Sequence, residues 1–143
     1  MLWKEKIPIN IDDNIKIKIV DFGNACWTHK HFTDNIQTRE YRSPEAILGI
    51  EYAPNTDIWS LACMIFEMIT GRFLFKPQDG KTYKKDDDHL ALMMEALGPM
   101  PKKFALSGRY SRNHFNGKGV LKSIKDIKML PLDEFLVKEY EFS

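Results

Sequence analysis

Asp21 is the residue whose position in this sequence most clearly suggests chemistry. Isoleucines alternate with lysines over residues 15–19, and the run Asp-Phe-Gly then occupies residues 21–23. The alternation has the period of a half-buried strand, and Gly23 lets the backbone turn sharply after the acid. A carboxylate at such a strand end can reach a metal ion that prefers oxygen ligands. The alternative interpretation is an acidic turn after an edge strand.

Asp88 and Glu95 lie seven residues apart in a predicted helix. Their spacing places both carboxylates on one face of that helix, about two turns apart. Acids at this spacing most often form a solvated face.

The histidines and cysteines of the chain do not predict a metal site. His29 and His31 lie two residues apart in an irregular loop, without converging ligands. Cys26 and Cys63 lack the spacing of zinc ligands, so we expect free thiols in a reducing compartment.

Two elements are predicted in the first half of the chain: a strand that ends at Asp21 and a central helix. The strand that ends at Asp21 could pair with residues 7–11 in a short β-hairpin. Residues 56–70 should form the central helix, with Thr56 or Asp57 as its N-cap and Gly71 at its end. Apolar residues recur at helical spacing over a broad face, which places this helix in the core. These residues are Ile58, Leu61, Ala62, Ile65, Phe66 and Ile69.

Two further helices are predicted beyond the polar linker at residues 72–88. The first would be capped by Asp86 or Asp87 and would end at Gly98, carrying both acids of the candidate site. Its apolar stripe comprises Leu90, Met93, Met94 and Leu97. The second opens at Pro131. Its inward residues are Leu132, Phe135, Leu136 and Tyr140.

Composition bounds the class of protein. The 143 residues are 43% hydrophobic and 29% charged, with a net charge of +1, which suits a globular domain with one modest core. The balanced charge does not predict direct binding to nucleic acid. No apolar run marks a signal peptide or a membrane span. We therefore expect an intracellular chain that does not bind membranes. It is further expected to be a monomer and to be located in the cytoplasm and nucleus.

Three motifs in order resemble those of eukaryotic protein kinases. They are Asp-Phe-Gly at residues 21–23, Tyr-Arg-Ser-Pro-Glu at 41–45 and Asp-Ile-Trp-Ser at 57–60. The runs at residues 23–32 and 36–39 narrow the resemblance to SR-protein kinases, which phosphorylate serines in arginine- and serine-rich splicing factors. LAMMER-type kinases share Asp-Phe-Gly and the stretch at residues 97–101, and they are the alternative family.

The resemblance implies a fold class as well. The parent kinase fold is α+β with two lobes, and residues 1–143 would form a mainly α, partial C-terminal lobe with the short hairpin at its start. This part runs from the magnesium-binding turn through the insert typical of this kinase group, which begins beyond Pro101. The nucleotide lobe, the catalytic loop and the last helices would lie outside it.

Site residues are also implied by the resemblance. Asp21 would bind Mg²⁺ and, through it, ATP, while Thr38, Tyr41 and Arg42 would contact the protein substrate. The resemblance also implies that Glu45 and Asp57 anchor the activation segment. Asp88 and Glu95 would form a groove that docks arginine-rich substrate.

The loop at residues 24–37 would be held by aromatic side chains. Trp27 and Phe32 are the expected anchors, in place of a phosphate. In complete kinases Glu45 pairs with an arginine on a late helix, which would lie beyond Ser143.

Several kinase parts have no match in the sequence. No catalytic-loop aspartate and asparagine precede Asp21, and no glycine-rich loop or phosphate-binding lysine is recognisable. We therefore expect the isolated chain to be inactive. Two alternatives are a non-catalytic module that docks arginine-rich peptides and a truncated fragment without an independent role.

Overall fold

The computed structural model describes residues 16–140, and these residues fold mainly into helices. Two 3-10 turns, Phe22–Asn24 and Arg39–Tyr41, precede or join the helical part. The α-helices of the described residues are α1 (Pro44–Leu48), α2 (Asn55–Thr70), α3 (Lys85–Leu97), α4 (Lys102–Ala105), α5 (Ser111–His114) and α6 (Leu132–Tyr140). The predicted mainly α fold class is confirmed.

The predicted strand before Asp21 is not formed within the described part of the chain. Residues 16–20 have no regular structure, and the side chains of Ile17 and Ile19 are 85% and 82% exposed. The expected pairing partner, residues 7–11, lies outside the described residues. A strand needs a ladder neighbour and a covered face, and alternation in the sequence supplies neither. The strand prediction is therefore wrong for residues 16–20.

The hydrophobic core is centred on α3. Leu90 is fully buried and Met93 is 2% exposed, in line with the predicted apolar stripe. Leu97 departs from it at 58% exposed. The cluster of buried residues joins α1, α2, the linker, α3 and the region after Pro101, and comprises Ile47, Leu48, Cys63, Phe75, Leu90, Ala91, Met93, Met94, Ala105, Phe115 and Leu121.

Helix α2 has the predicted length and C-terminus, but it is not the centre of the core. It ends at Gly71, whose φ of 71° suits a glycine cap. Most of its apolar face is open, with Ile58 64% and Ile69 59% exposed. An amphipathic pattern shows that one face of a helix is apolar enough to be buried. It does not show which residues cover that face. Placing the whole face in the core was therefore wrong for the described residues.

The predicted helix caps also differ. Helix α2 follows Pro54 and has no side-chain cap, so neither Thr56 nor Asp57 is the N-cap. Helix α3 begins at Lys85, two or three residues earlier than a cap at Asp86 or Asp87 requires. Asp87 instead accepts a hydrogen bond from the Lys84 backbone amide at 3.2 Å. A carboxylate in the first turn serves the exposed amides there nearly as well as one at the cap.

Helix α6 packs on α2 through aromatic rings. Phe66 stacks on Phe135 with ring centroids 6.3 Å apart and meets Tyr140 edge to face. The half-buried residues of α6 are Leu132, Phe135, Leu136 and Tyr140. The predicted inward face of this helix is confirmed. Within residues 16–140, no helix is both long enough and apolar enough to cross a bilayer.

The insert, residues 101–125, docks on the end of α1 by backbone contacts. The Tyr110 amide donates to the Leu48 carbonyl at 2.9 Å, and the Arg109 amide donates to the Gly49 carbonyl at 3.2 Å. Gly108 makes this approach possible, because a Cβ at Gly108 would lie 2.1 Å from the Leu48 carbonyl oxygen.

We expect Gly108→Ala to lower the free energy of unfolding by about 3 kcal/mol, since a rigid backbone carbonyl stands where the methyl group must go. Urea denaturation measures the change. Gly117→Ala is the matched control, because nothing lies within 4 Å of its added Cβ, and it should change stability by less than about 0.5 kcal/mol. Equal effects of the two substitutions would contradict the close approach.

Candidate functional site

Gln37 connects residues 37–43 to helix α2. These residues include the three that are predicted to contact the substrate, and they are called the substrate loop. Its side-chain amide donates to the Thr56 carbonyl at 2.9 Å and to Ser60 Oγ at 2.7 Å. Its Oε1 accepts from the Ser43 backbone amide at 2.9 Å. The backbone of Gln37 is left-handed, with φ 66°, which is uncommon for a residue with a side chain. One side chain thus fastens both ends of residues 37–43 to the helix.

Tyr41 and Arg42 lie in the loop that Gln37 fastens. Tyr41 donates its hydroxyl to Glu67 Oε2 on α2 at 2.5 Å, and the hydrogen bond to this carboxylate, followed by burial, raises the pKa of Tyr41 to about 12. Ser60 Oγ donates to the Tyr41 carbonyl at 2.9 Å. The Tyr41 ring is therefore fixed over α2.

The Arg42 guanidinium turns back into its own loop. It donates to the carbonyls of Ile36 at 3.1 Å and Gln37 at 2.9 Å. Burial and then the nearby Arg39 charge lower its pKa from the usual value. Arg42 shapes the loop from inside, while Thr38 is exposed at the start of the 3-10 turn Arg39–Tyr41. The structure brings Thr38, Tyr41 and Arg42 together, and their contact with substrate stays a prediction.

Asp21 lies in an exposed turn. Its backbone is left-handed, with φ 66° and ψ 58°, and it precedes the 3-10 turn Phe22–Asn24. Phe22 is 66% exposed and does not pack beneath the acid. Strained backbone at a polar residue is frequent at functional sites. No group of three or more metal-ligating side chains occurs anywhere in residues 16–140, so Asp21 is not part of such a cluster.

The loop at residues 24–37 is held differently from the prediction. Trp27 and Phe32 are 68% and 67% exposed, so these aromatic rings do not anchor it. Tyr52 does, because it stacks on His31 with ring centroids 3.9 Å apart and donates its hydroxyl to the Thr33 carbonyl at 3.0 Å. The sequence of a loop does not show whether its aromatic side chains point into the protein or into solvent, and this explains the wrong assignment.

Asp34 supplies a second anchor for the same loop. Its two carboxylate oxygens accept from the Arg109 guanidinium and from the Tyr110 hydroxyl, the latter at 3.3 Å. Both partners belong to the insert. The loop is thereby pinned to the insert by a carboxylate.

The Glu45 carboxylate has one hydrogen-bond partner among the described residues. Its Oε1 accepts from the Asn55 side-chain amide at 3.0 Å, whereas its Oε2 is buried without a hydrogen-bond partner within residues 16–140. A buried carboxylate oxygen without a donor is unfavourable. Asp57 is exposed in the first turn of α2. The anchoring roles of Glu45 and Asp57 stay predictions.

Asp88 and Glu95 share one face of α3, as their spacing predicts. Burial, and then the charge of Asp88, raise the pKa of Glu95, while Lys128 opposes this shift. Asp88 Oδ2 accepts from the Gln78 backbone amide at 2.8 Å. The face therefore carries two mutually repelling carboxylates, which an incoming cation would relieve.

The start of α3 is tied to three other elements by consecutive acids. Asp86 pairs with Arg39 of the substrate loop. Asp87 Oδ1 lies 2.7 Å from His114 Nδ1 in the insert. Asp88 contacts the linker, because it accepts the hydrogen bond from the Gln78 backbone amide. The start of α3 and the substrate loop are thus joined by one ion pair.

Sequence reasoning missed Gln37, Asp34 and Asp86 as site residues. Gln37 has no motif of its own, and its role depends on a left-handed backbone that the sequence does not display. Asp34 and Asp86 pair with residues 75 and 47 positions away. Opposite charges at such separations have many equivalent alternatives, so no local pattern could have paired them.

Comparison with known proteins gives consistent results. The family described as "Protein kinase domain" matches residues 7–125. SRSF protein kinase 3 of Homo sapiens is 55% identical over 130 residues, covering 91% of this chain and 23% of the relative. The kinase SKY1 of Saccharomyces cerevisiae is 52% identical over 136 residues, covering 94% and 18%. The kinase SRPK of Physarum polycephalum is 50% identical over 138 residues, covering 96% and 31%.

These matches confirm the predicted resemblance to SR-protein kinases. The chain spans between 18% and 31% of the length of these three relatives.

Proposed function

We propose that this chain, which belongs to the protein kinase domain family, is the substrate-binding part of a serine/threonine kinase. Its substrates would be arginine- and serine-rich splicing proteins. One observation carries the proposal: the Arg39–Asp86 pair joins the loop of Tyr41 and Arg42 to the first turn of α3, the helix whose acidic face carries Asp88 and Glu95. A loop that would present a serine is thereby held close to the helix that would attract its basic flank.

The acidic face supports a basic substrate on physical grounds. Arginine forms paired hydrogen bonds to carboxylates, which are stronger than those between neutral groups. Gln78 occupies one oxygen of Asp88, so the second oxygen and the Glu95 carboxylate are available for arginine. A bound guanidinium would also relieve the repulsion between the two acids.

The complete kinase would transfer the γ-phosphoryl group of ATP to serine. Bound Mg²⁺ neutralises charge on the phosphate oxygens of the nucleotide. Asp21 fits the role of a magnesium ligand by donor type, since one protein carboxylate together with phosphates and water makes a common magnesium site. Within residues 16–140, Asp21 does not belong to a cluster of three or more potential metal ligands.

The first test is phosphoryl transfer by the 143-residue chain itself. We expect no ATP-dependent phosphorylation of an Arg-Ser repeat peptide, because no catalytic-loop aspartate or asparagine is recognisable in the sequence. Phosphorylation by the pure chain that disappears on Asp21→Ala would overturn this expectation. A longer protein that contains this chain should phosphorylate the peptide and lose that activity on the same substitution.

The second test is binding of the same peptide, measured by fluorescence anisotropy. We expect salt-sensitive binding that Glu95→Gln and Asp88→Asn each weaken by about fivefold. Asp133→Asn is the matched control, because Asp133 is exposed on α6 and away from the acidic face in sequence. No binding at low ionic strength, or equal losses in all three variants, would contradict a docking role for this face.

A second candidate function is a non-catalytic module that docks arginine-rich proteins. It is favoured by the location of both acids on one helix whose core contacts lie within residues 16–140. Binding without any phosphorylation by the natural protein would support it. Absence of both activities would leave the third possibility, a fragment without an independent role. A location in the cytoplasm and nucleus stays a prediction.

A further inference from the structure

The insert, residues 101–125, has a charge unlike that of the rest of the chain. It contains seven lysines and arginines and no aspartate or glutamate, whereas the whole chain has a net charge of +1. The remaining residues are therefore net acidic. The cations of the insert are Lys102, Lys103, Arg109, Arg112, Lys118, Lys122 and Lys125, and all are exposed.

Most of these cations are not neutralised within residues 16–140. Arg109 pairs with Asp34, and Lys122 Nζ donates to the Arg112 carbonyl at 2.5 Å. The other five form no ion pair with any residue of the described part. Like charges held on one small element repel one another, so a bound anion would be favourable there.

The insert also contains a cleft of about 540 Å³. Leu106, Arg112, Phe115, Asn116, Gly117 and Lys122 line it. Phe115 is only 2% exposed and pairs with Leu121 through an isolated bridge. An apolar lining thus lies next to two exposed cations, Arg112 and Lys122.

The wall of the cleft at Asn116 is a closed turn. Asn116 Oδ1 accepts from the amides of Lys118 at 2.9 Å and Val120 at 3.2 Å, and the Asn116 amide donates to the Val120 carbonyl at 2.9 Å. A Cβ at Gly119 would lie 3.3 Å from Lys102 Cα, so Lys102 is held beside this turn. The backbone that carries these cations is therefore already ordered, which lowers the entropic cost of binding a ligand.

We propose that the insert is a second docking surface, which binds an acidic peptide segment with one apolar anchor residue. The anchor would enter the cleft between Leu106 and Phe115, and carboxylates on either side would contact Arg112, Lys118 and Lys122. Charge complementarity selects an acidic partner, and the apolar lining selects a side chain rather than a bare phosphate. This surface is distinct from the acidic face of α3, which has the opposite charge.

Two other polyanions fit the cleft less well. Single-stranded nucleic acid is bound by exposed aromatic rings that stack on bases. Phe115 is buried, and Tyr110, although 40% exposed, has its ring packed against Gly49. An anionic membrane surface is bound by a rim of exposed apolar residues beside the cations. Within the insert, Val120 at 50% is the most exposed of the large aliphatic side chains. The insert therefore presents one exposed aliphatic residue rather than a rim of them.

Fluorescence anisotropy with the 143-residue chain tests the proposal. The probe is a labelled Glu-Glu-Asp-Leu-Glu-Glu peptide, compared with the same peptide carrying Ser in place of Leu. We expect binding that weakens as ionic strength rises, and that weakens about tenfold on Arg112→Glu or Lys118→Glu. Lys16→Glu makes the same charge change outside the insert and is the matched control. Circular dichroism establishes that each variant is folded.

Three outcomes would overturn the proposal. The first is no binding of the acidic peptide at low ionic strength. The second is equal binding of the Leu and Ser peptides, or equal losses in the insert variants and Lys16→Glu. The third is tighter binding of an oligouridylate of equal charge, with the same dependence on Arg112. Binding of the Arg-Ser peptide, measured in parallel, reports on the acidic face of α3 alone, so failure of one surface does not imply failure of the other.

Discussion

Lowering the pH from about 7 to about 4 should destabilise the chain by about 3 kcal/mol through His89 alone. His89 is fully buried, and neither ring nitrogen has a hydrogen-bond partner within residues 16–140. Burial, followed by the Arg39 charge, lowers the pKa of His89 from 6.5 to about 4. Asp86 opposes this shift, Arg42 adds to it, and the Phe75 ring covers one side at a centroid distance of 5.6 Å.

The direction follows from proton binding. Between pH 6.5 and about 4 the unfolded chain binds a proton at His89 that the folded chain does not, so stability falls as the pH falls through this window. Below the lower limit both states are protonated and the loss is complete. Urea denaturation at several pH values measures the profile.

His89→Leu is the decisive variant, since leucine has a similar volume and does not titrate. We expect it to flatten the profile between pH 6.5 and 4 and to raise stability at neutral pH by about 1 kcal/mol, because two buried nitrogens without partners are removed. His29→Gln, at an exposed position, should leave the profile unchanged. Parallel profiles for the wild type and His89→Leu would show that His89 is not the titrating group.

Gln37→Ala should lower the free energy of unfolding by about 3 kcal/mol. The substitution removes three hydrogen bonds and leaves the buried Ser43 amide without its acceptor. Ser43 is 0% exposed, so water cannot replace the lost acceptor without a local opening. The substrate loop should then separate from α2, and the Tyr41 hydroxyl should lose its fixed contact with Glu67.

Gln37→Glu separates the two halves of this contact. Glutamate keeps the acceptor for the Ser43 amide but cannot donate to the Thr56 carbonyl, so we expect an intermediate loss of about 2 kcal/mol. Gln78→Ala is the matched control, since Gln78 is exposed and its removal should change stability by less than about 0.5 kcal/mol. If Gln37→Ala were no more destabilising than Gln78→Ala, the role of Gln37 as the fastening residue would be wrong.

The sequence predicted the helices well where local periodicity and end signals agree. The glycine ends of α2 and α3 and the inward face of α6 all follow from residues within one or two turns of each other. The common face of Asp88 and Glu95 belongs to this class, because helical geometry alone determines it.

The remaining features depend on distant parts of the chain. Ile58 and Ile69 lie on a good amphipathic face that residues 16–140 leave exposed, because covering a face requires a partner that local pattern does not identify. Residues 16–20 fail as a strand for the same reason. Gln37 needed a left-handed backbone, and the Arg39–Asp86 pair needed a fold that brings the substrate loop to α3.

The three consecutive aspartates at the start of α3 restrict how the length of this chain can change. Successive helical residues are rotated by about 100°, so Asp86, Asp87 and Asp88 can reach the substrate loop, the insert and the linker only in one helical phase. A residue gained or lost within 85–88 would misdirect all three acids at once. An insertion between Lys81 and Thr82, which are exposed in the linker, would only lengthen a surface bend. Related chains should therefore vary in length before Lys84 and keep the spacing from Lys85 to Asp88 constant.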